Sequence, residues 1–114
     1  LKTAPKLNKE NTRINWKKGA KEINSLIKGL SPYPSAWCQI KLNDRLLNFK
    51  IFRAEIGEDL NLGAGEVLMG KNELIVGTGS GTLKLLDIQL EGKRRTAIAD
   101  FVNGHKQFNE IILI

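Results

Sequence analysis

The residues of this chain best suited to chemistry are cations. Lys93-Arg94-Arg95 is the tightest basic run, in a loop before Thr96, where three flexible side chains can reach one phosphate track. Lys41 and Arg45, either side of an Asn43-Asp44 turn, extend that surface. Residues 1–31 hold eight bases (Lys2, Lys6, Lys9, Arg13, Lys17, Lys18, Lys21, Lys28) against two acids (Glu10, Glu22), so this segment carries the whole formal charge of +6. A basic stripe beside a neutral body is the footprint of a polyanion partner, although a linker kept soluble by lysine has the same composition. Lys6, Lys9, Arg13, Lys17, Lys18, Lys41, Arg45, Lys93, Arg94 and Arg95 are therefore the candidate phosphate contacts. Trp16, Tyr33 and Trp37 could stack on bases, but each neighbours an apolar anchor or a proline, and packing is expected of them.

Other chemistries find weaker support. Gly77-Thr78-Gly79-Ser80-Gly81 invites a phosphate-loop reading, yet no Gly-Lys-Ser/Thr follows and the next segment has a strand pattern, so a hairpin turn is expected. Ser80, Asp100 and His105 supply the letters of a nucleophilic triad without a nucleophile-elbow context. Glu55, Glu58 and Asp59 cluster at a strand end with no base beside them and read as a solvated turn. No catalytic residue is expected. Cys38 and His105 are the only residues of their kinds, too few for a zinc site, and Cys38 is expected to be a small buried apolar group. No stretch approaches the roughly 18 apolar residues of a membrane span.

The elements that must position these cations follow from periodicity. Residues 1–15 show no sustained period and read as an extended strap, pinned by Leu7, Ile14 and Trp16. Ala20, Ile23, Leu26, Ile27 and Leu30 mark one face of an amphipathic helix, stopped by Gly29, Pro32 and Pro34. Strands are predicted at residues 36–42 and 45–56, then at 67–69, 74–76, 83–90 and 107–113. In residues 45–56 the alternation of Leu47, Phe49 and Ile51 changes phase at Phe52, Ala54 and Ile56, which predicts a β-bulge after Ile51. The same slip recurs between Leu85 and Leu86. Thr96 is expected to cap a short helix at residues 97–102, closed by Asn103-Gly104. Five or six strands with two helices make a mainly β fold, and the bends suit a small barrel.

Specific residues carry a family resemblance. Pro5-Lys6-Leu7, Ile14-Asn15-Trp16, Pro32-Tyr33-Pro34, Gly65-Glu66-Val67-Leu68, Gly77-Thr78-Gly79, Gln89, Gly92-Lys93-Arg94 and Asp100-Phe101 stand in an order and spacing that resembles the carboxy-terminal domain of methionyl-tRNA formyltransferases. Ser35, Ala64 and Ser80 depart from that pattern at turns. The resemblance implies a Greek-key OB-like barrel over residues 17–114, preceded by a basic interdomain linker over residues 1–16, in a piece of a larger enzyme. It also implies tRNA, above all initiator Met-tRNA, as partner, with 10-formyltetrahydrofolate as formyl donor on an amino-terminal catalytic domain. No cofactor or metal is expected on this piece, which should be non-catalytic alone, and the whole protein is expected to be a cytoplasmic monomer. Two alternatives remain open: an accessory barrel in a formyltransferase acting on a small molecule such as a nucleotide sugar, and a stand-alone single-strand binder.

Overall fold

The computed structural model describes residues 9–106 and 110–114, with only the backbone of residues 9 and 10. Along the described chain lie α1 (Lys9–Thr12), α2 (Ala20–Leu30), β1 (Ala36–Leu42), β2 (Arg45–Ile56), β3 (Val67–Met69), β4 (Leu74–Gly77), β5 (Thr82–Leu90), β6 (Arg95–Ala97), α3 (Ile98–Gly104) and β7 (Ile111–Leu113). β1 buries Ala36, Cys38, Ile40 and Leu42 and turns Trp37, Gln39 and Lys41 outward, the period-two pattern of a strand with one wet face. Asn43, at φ 53°, turns the chain antiparallel into β2.

β5 organises the sheet. One edge pairs with β2, while the other serves β4 through Ile75–Lys84 and then β6 through Gln89–Arg95. The strand order is β3-β4-β5-β2-β1-β7, with β6 beside β5. The ends nearly meet: Glu66 bridges Ile112, and Leu113 N–H donates to the Gly65 carbonyl at 2.9 Å. Gly65 has φ +85°, and a Cβ there would stand 2.2 Å from the Leu113 oxygen, so this near-closure requires glycine. The fold is thus mainly β and barrel-like, as the sequence predicts.

α2 buries Ala20, Ile23, Ile27 and Leu30 and packs chiefly on β2. Complete burial of Ile27 alone contributes about 1.5–3 kcal/mol. The turn at residues 77–81 is the expected hairpin, and it docks on the start of α2. Gly79 N–H donates to the Lys18 carbonyl and Ala20 N–H to the Ser80 carbonyl, both at 2.9 Å.

Three details differ from expectation. Residues 9–12 form a helical turn where an extended strap was expected, before Arg13 bridges Trp37 and Ile14 N–H bonds the Trp37 carbonyl at 2.8 Å. Thr96 does not cap a helix: it pairs with Ile88 in β6, and Ala97 precedes α3 without a side-chain cap. Tyr33 is 87% exposed rather than packed, whereas Trp16 is buried in the core beside Ile14 and Trp37 is half-buried. Pro5, Lys6, Leu7 and the opening of the last expected strand lie outside the described residues.

Candidate nucleic-acid interface

Two bulges shape the outer face of the sheet. Ile51 pairs with Ile88, Arg53 with Asp87 and Ala54 with Leu85, so Phe52 on β2 and Leu86 on β5 are each one residue extra. The inward phase resumes at Ala54 and Leu85, which leaves Phe52, 7% exposed, outside the core cluster beside the exposed Arg53, with Leu86 and Asp87 half-buried opposite. A phenylalanine on a wet face needs a cover. The Arg95 guanidinium supplies one, 4.4 Å above the Phe52 ring, while its Nη2 reaches Asp87 Oδ2 at 3.2 Å. Arg53 Nη1 meets the same carboxylate oxygen at 3.3 Å.

Arg13 is oriented in a similar way. Its guanidinium lies 5.0 Å over the Trp37 ring and donates through Nη2 to Gln39 Oε1 at 3.2 Å and to the Ile114 main-chain oxygen at 3.3 Å. Each stack contributes about 0.5–1 kcal/mol at such exposed sites, enough to bias where the charge points.

Strand register joins these arginines. Trp37 pairs with Lys50, Lys50 with Gln89 and Gln89 with Arg95, one row across four strands with neighbours about 4.8 Å apart. Arg13 stands over one end and Arg95 forms the other. Lys93 and Arg94 are exposed in the turn between β5 and β6, where Gln89 Nε2 donates to the Lys93 carbonyl at 2.9 Å. Lys17 and Lys18 are exposed, and each shares a surface hollow with Arg13, which extends the positive surface from the strap.

The remaining candidates are less central. Lys41 points to the same outer face but pairs with Glu110 at 3.9 Å, and Arg45 is exposed where β2 begins. Lys6 lies outside the described residues, and of Lys9 only the backbone is placed. Lys50 and Arg53 were missed by the sequence reading. An exposed lysine between Phe49 and Ile51 looks like any outward strand residue, and its neighbours in the row lie 13 and 39 positions away.

The other chemical candidates settle into structural settings. His105 stacks on Phe101 at 4.1 Å, with Nδ1 2.7 Å from the Phe101 carbonyl oxygen at the end of α3. Glu55 pairs with Lys84 at 4.0 Å on an exposed strand end. Cys38 is buried as expected; burial pushes its thiol far up, and the weaker opposing pulls of the Trp16 indole and the Arg13 charge do not offset this. Among the described residues no three His, Cys, Asp or Glu side chains gather as metal ligands, and no helix is long and apolar enough to cross a membrane.

Known proteins share this sequence and this fold. The profile of the family described as "Formyl transferase, C-terminal domain" matches residues 6–106. A methionyl-tRNA formyltransferase of Flavobacterium johnsoniae is 46% identical over 105 residues, covering 91% of this chain and 33% of that protein. One from Thermodesulfovibrio yellowstonii is 40% identical over 103 residues, covering 90% of the chain and 32% of that protein. The chain thus spans about a third of the length of these relatives. Among solved structures, HypX from Aquifex aeolicus in complex with tetrahydrofolic acid superposes with a TM-score of 0.74 at 19% identity, over 91% of this chain and 18% of HypX, a likeness of fold. The chain belongs to the formyl transferase C-terminal domain family, and its sequence relatives named here are methionyl-tRNA formyltransferases.

Proposed function

We propose that this chain is the tRNA-docking domain of a methionyl-tRNA formyltransferase, in which it positions initiator Met-tRNA for formyl transfer during translation initiation. In this reading residues 1–16 link it to an amino-terminal catalytic domain of the same protein and residues 17–114 form the barrel. The donor, 10-formyltetrahydrofolate, is given no residue of this chain. The whole protein acts as a cytoplasmic monomer. The observation that carries the proposal is the pair of aromatic-stacked guanidinium groups, Arg13 on Trp37 and Arg95 on Phe52, on one outer sheet face with Lys93 and Arg94 exposed beside it. Such cations neutralise phosphates and release counterions, which fixes orientation without reading bases.

Binding of tRNA to the full-length protein, followed by anisotropy across a salt series, tests this. With about five phosphates engaged, affinity should fall roughly a hundredfold to a thousandfold between about 50 and 200 mM salt, with little preference for initiator over elongator tRNA. Absence of binding even at low salt would overturn the proposal. The same barrel fold recurs in HypX, and the second reading is an accessory barrel in a formyltransferase acting on a small molecule such as a nucleotide sugar. Charge reversal at Lys6, Lys9, Lys93, Arg94 and Arg95 separates the two: a tRNA enzyme loses activity and a small-molecule enzyme keeps it.

A further inference from the structure

We infer that Lys50 and Gln89 form a ribose-phosphate subsite at the middle of the cationic row, with the Lys50 ammonium on a phosphate and the Gln89 carbonyl oxygen accepting from the ribose 2′-hydroxyl. The inference rests on the tRNA-docking reading and names a point at which that surface holds the RNA backbone.

A hollow of about 230 Å³ lies between Asn48, Lys50, Gln89, Leu90, Glu91 and Gly92, room for one sugar-phosphate unit. Lys50 projects into it from a rigid base, because its neighbours Phe49 and Ile51 are fully buried. Of the other cations of the sheet face, Arg53 and Arg95 share the Asp87 carboxylate and Lys41 faces Glu110, while Arg13 is held by the neutral Gln39 amide and keeps its charge. Lys50 forms no salt bridge among the described residues, so its charge is available to a ligand.

The polar groups beside it have the complementary sense. Gln89 commits its Nε2 to the Lys93 carbonyl, which fixes the amide and leaves Oε1 as an acceptor. Glu91 Oε1 accepts from the Asn48 N–H at 2.8 Å, which ties the one carboxylate beside the hollow to the main chain. A cation beside an acceptor suits a ligand that brings both an anion and a hydroxyl donor. An RNA backbone unit offers a phosphate and a 2′-hydroxyl, whereas DNA lacks the hydroxyl. Arg13, whose partners at the strap end of the row are neutral, would engage a flanking phosphate.

The test compares binding of the full-length protein to a tRNA transcript and to DNA of the same sequence. Wild type should favour RNA. K50A should weaken both about three- to tenfold near 100 mM salt and lower the salt slope by about 0.7–0.9, and K50R should restore most of it. Q89M should bring RNA affinity down to the DNA level with DNA binding unchanged, while K28A, on the exposed side of α2, should match wild type. Melting curves identify any variant that unfolds, and the K50A slope decides the matter if Q89M does. An unchanged slope in K50A beside a lowered slope in K93A overturns the subsite and leaves tRNA docking standing. Failure of wild type to bind tRNA removes the docking reading itself.

Discussion

Two basic regions of this molecule differ in how their charge is held. The opening segment and α2 carry the whole net charge, yet Lys17, Lys18, Lys21 and Lys28 are simply exposed on flexible stems. The sheet face belongs to a part of the chain that nets to zero, but there Arg95 is stacked on Phe52, and Arg13 reaches over from the strap to stack on Trp37. Net charge draws a polyanion from a distance, while stacking and register decide where a phosphate comes to rest. The first region is suited to attraction and the second to placement.

The joint between the regions offers the harshest way to break that comparison. A Cβ at Gly79 would lie 1.8 Å from the Lys17 carbonyl oxygen, main chain against main chain, with no side chain able to yield. Gly79→Ala should cost about 3 kcal/mol or more and loosen the strap from the barrel, measured by denaturant unfolding. A loss below about 1 kcal/mol would show that the strap is not fixed by this turn.

Charge reversal sharpens the contrast in solution. Lys93→Glu with Arg94→Glu on the turn beside the row should lower tRNA affinity about ten- to a hundredfold at about 100 mM salt. Lys21→Glu with Lys28→Glu on α2 changes net charge equally and should cost less than about threefold, through the long-range field alone. Equal losses from the two pairs would mean that total charge, not geometry, governs docking.

What the sequence disclosed follows the range of the interactions involved. The bulges were legible because the inward phase is local: Ile51 to Ala54 and Leu85 to Ile88 each break a period of two within a few residues. β6 was not, since Arg95-Thr96-Ala97 becomes a strand only by pairing with residues 87–89, and its own letters read as loop and cap. The strap's cations were evident from composition. The row that extends them was hidden, because Trp37, Lys50, Gln89 and Arg95 meet through register across three ladders. Tyr33 was misread because an aromatic residue between two prolines suggests packing, and the turn instead points it to solvent.

Beneath the strap end of that row lies Cys38, which gives a pH test of how tightly the region is sealed. Its thiol is held far above the usual range by burial, so in the native state it stays protonated while the unfolded chain ionises above about pH 8.5. Stability from this group is complete below that pH and declines above it by about 1.4 kcal/mol per pH unit, because the unfolded state then binds fewer protons. Cys38→Ala should remove this alkaline slope, as read from denaturant midpoints between about pH 8 and 10. An identical slope in the variant would mean that the strap and β1 admit water to the thiol.

The smallest effect bears most directly on placement against attraction. Trp37→Leu keeps every charge and leaves Arg13 its contacts with Gln39 and the Ile114 main-chain oxygen, but removes the ring over which the guanidinium lies. A stack of about 0.5–1 kcal/mol corresponds to a two- to fivefold loss of tRNA affinity. The salt slope should stay at its wild-type value, because the number of phosphates neutralised is unchanged. A slope lowered by about 0.7–0.9 would instead show that Arg13 had left the interface altogether, and the aromatic ring would then be what retains the charge rather than what aims it.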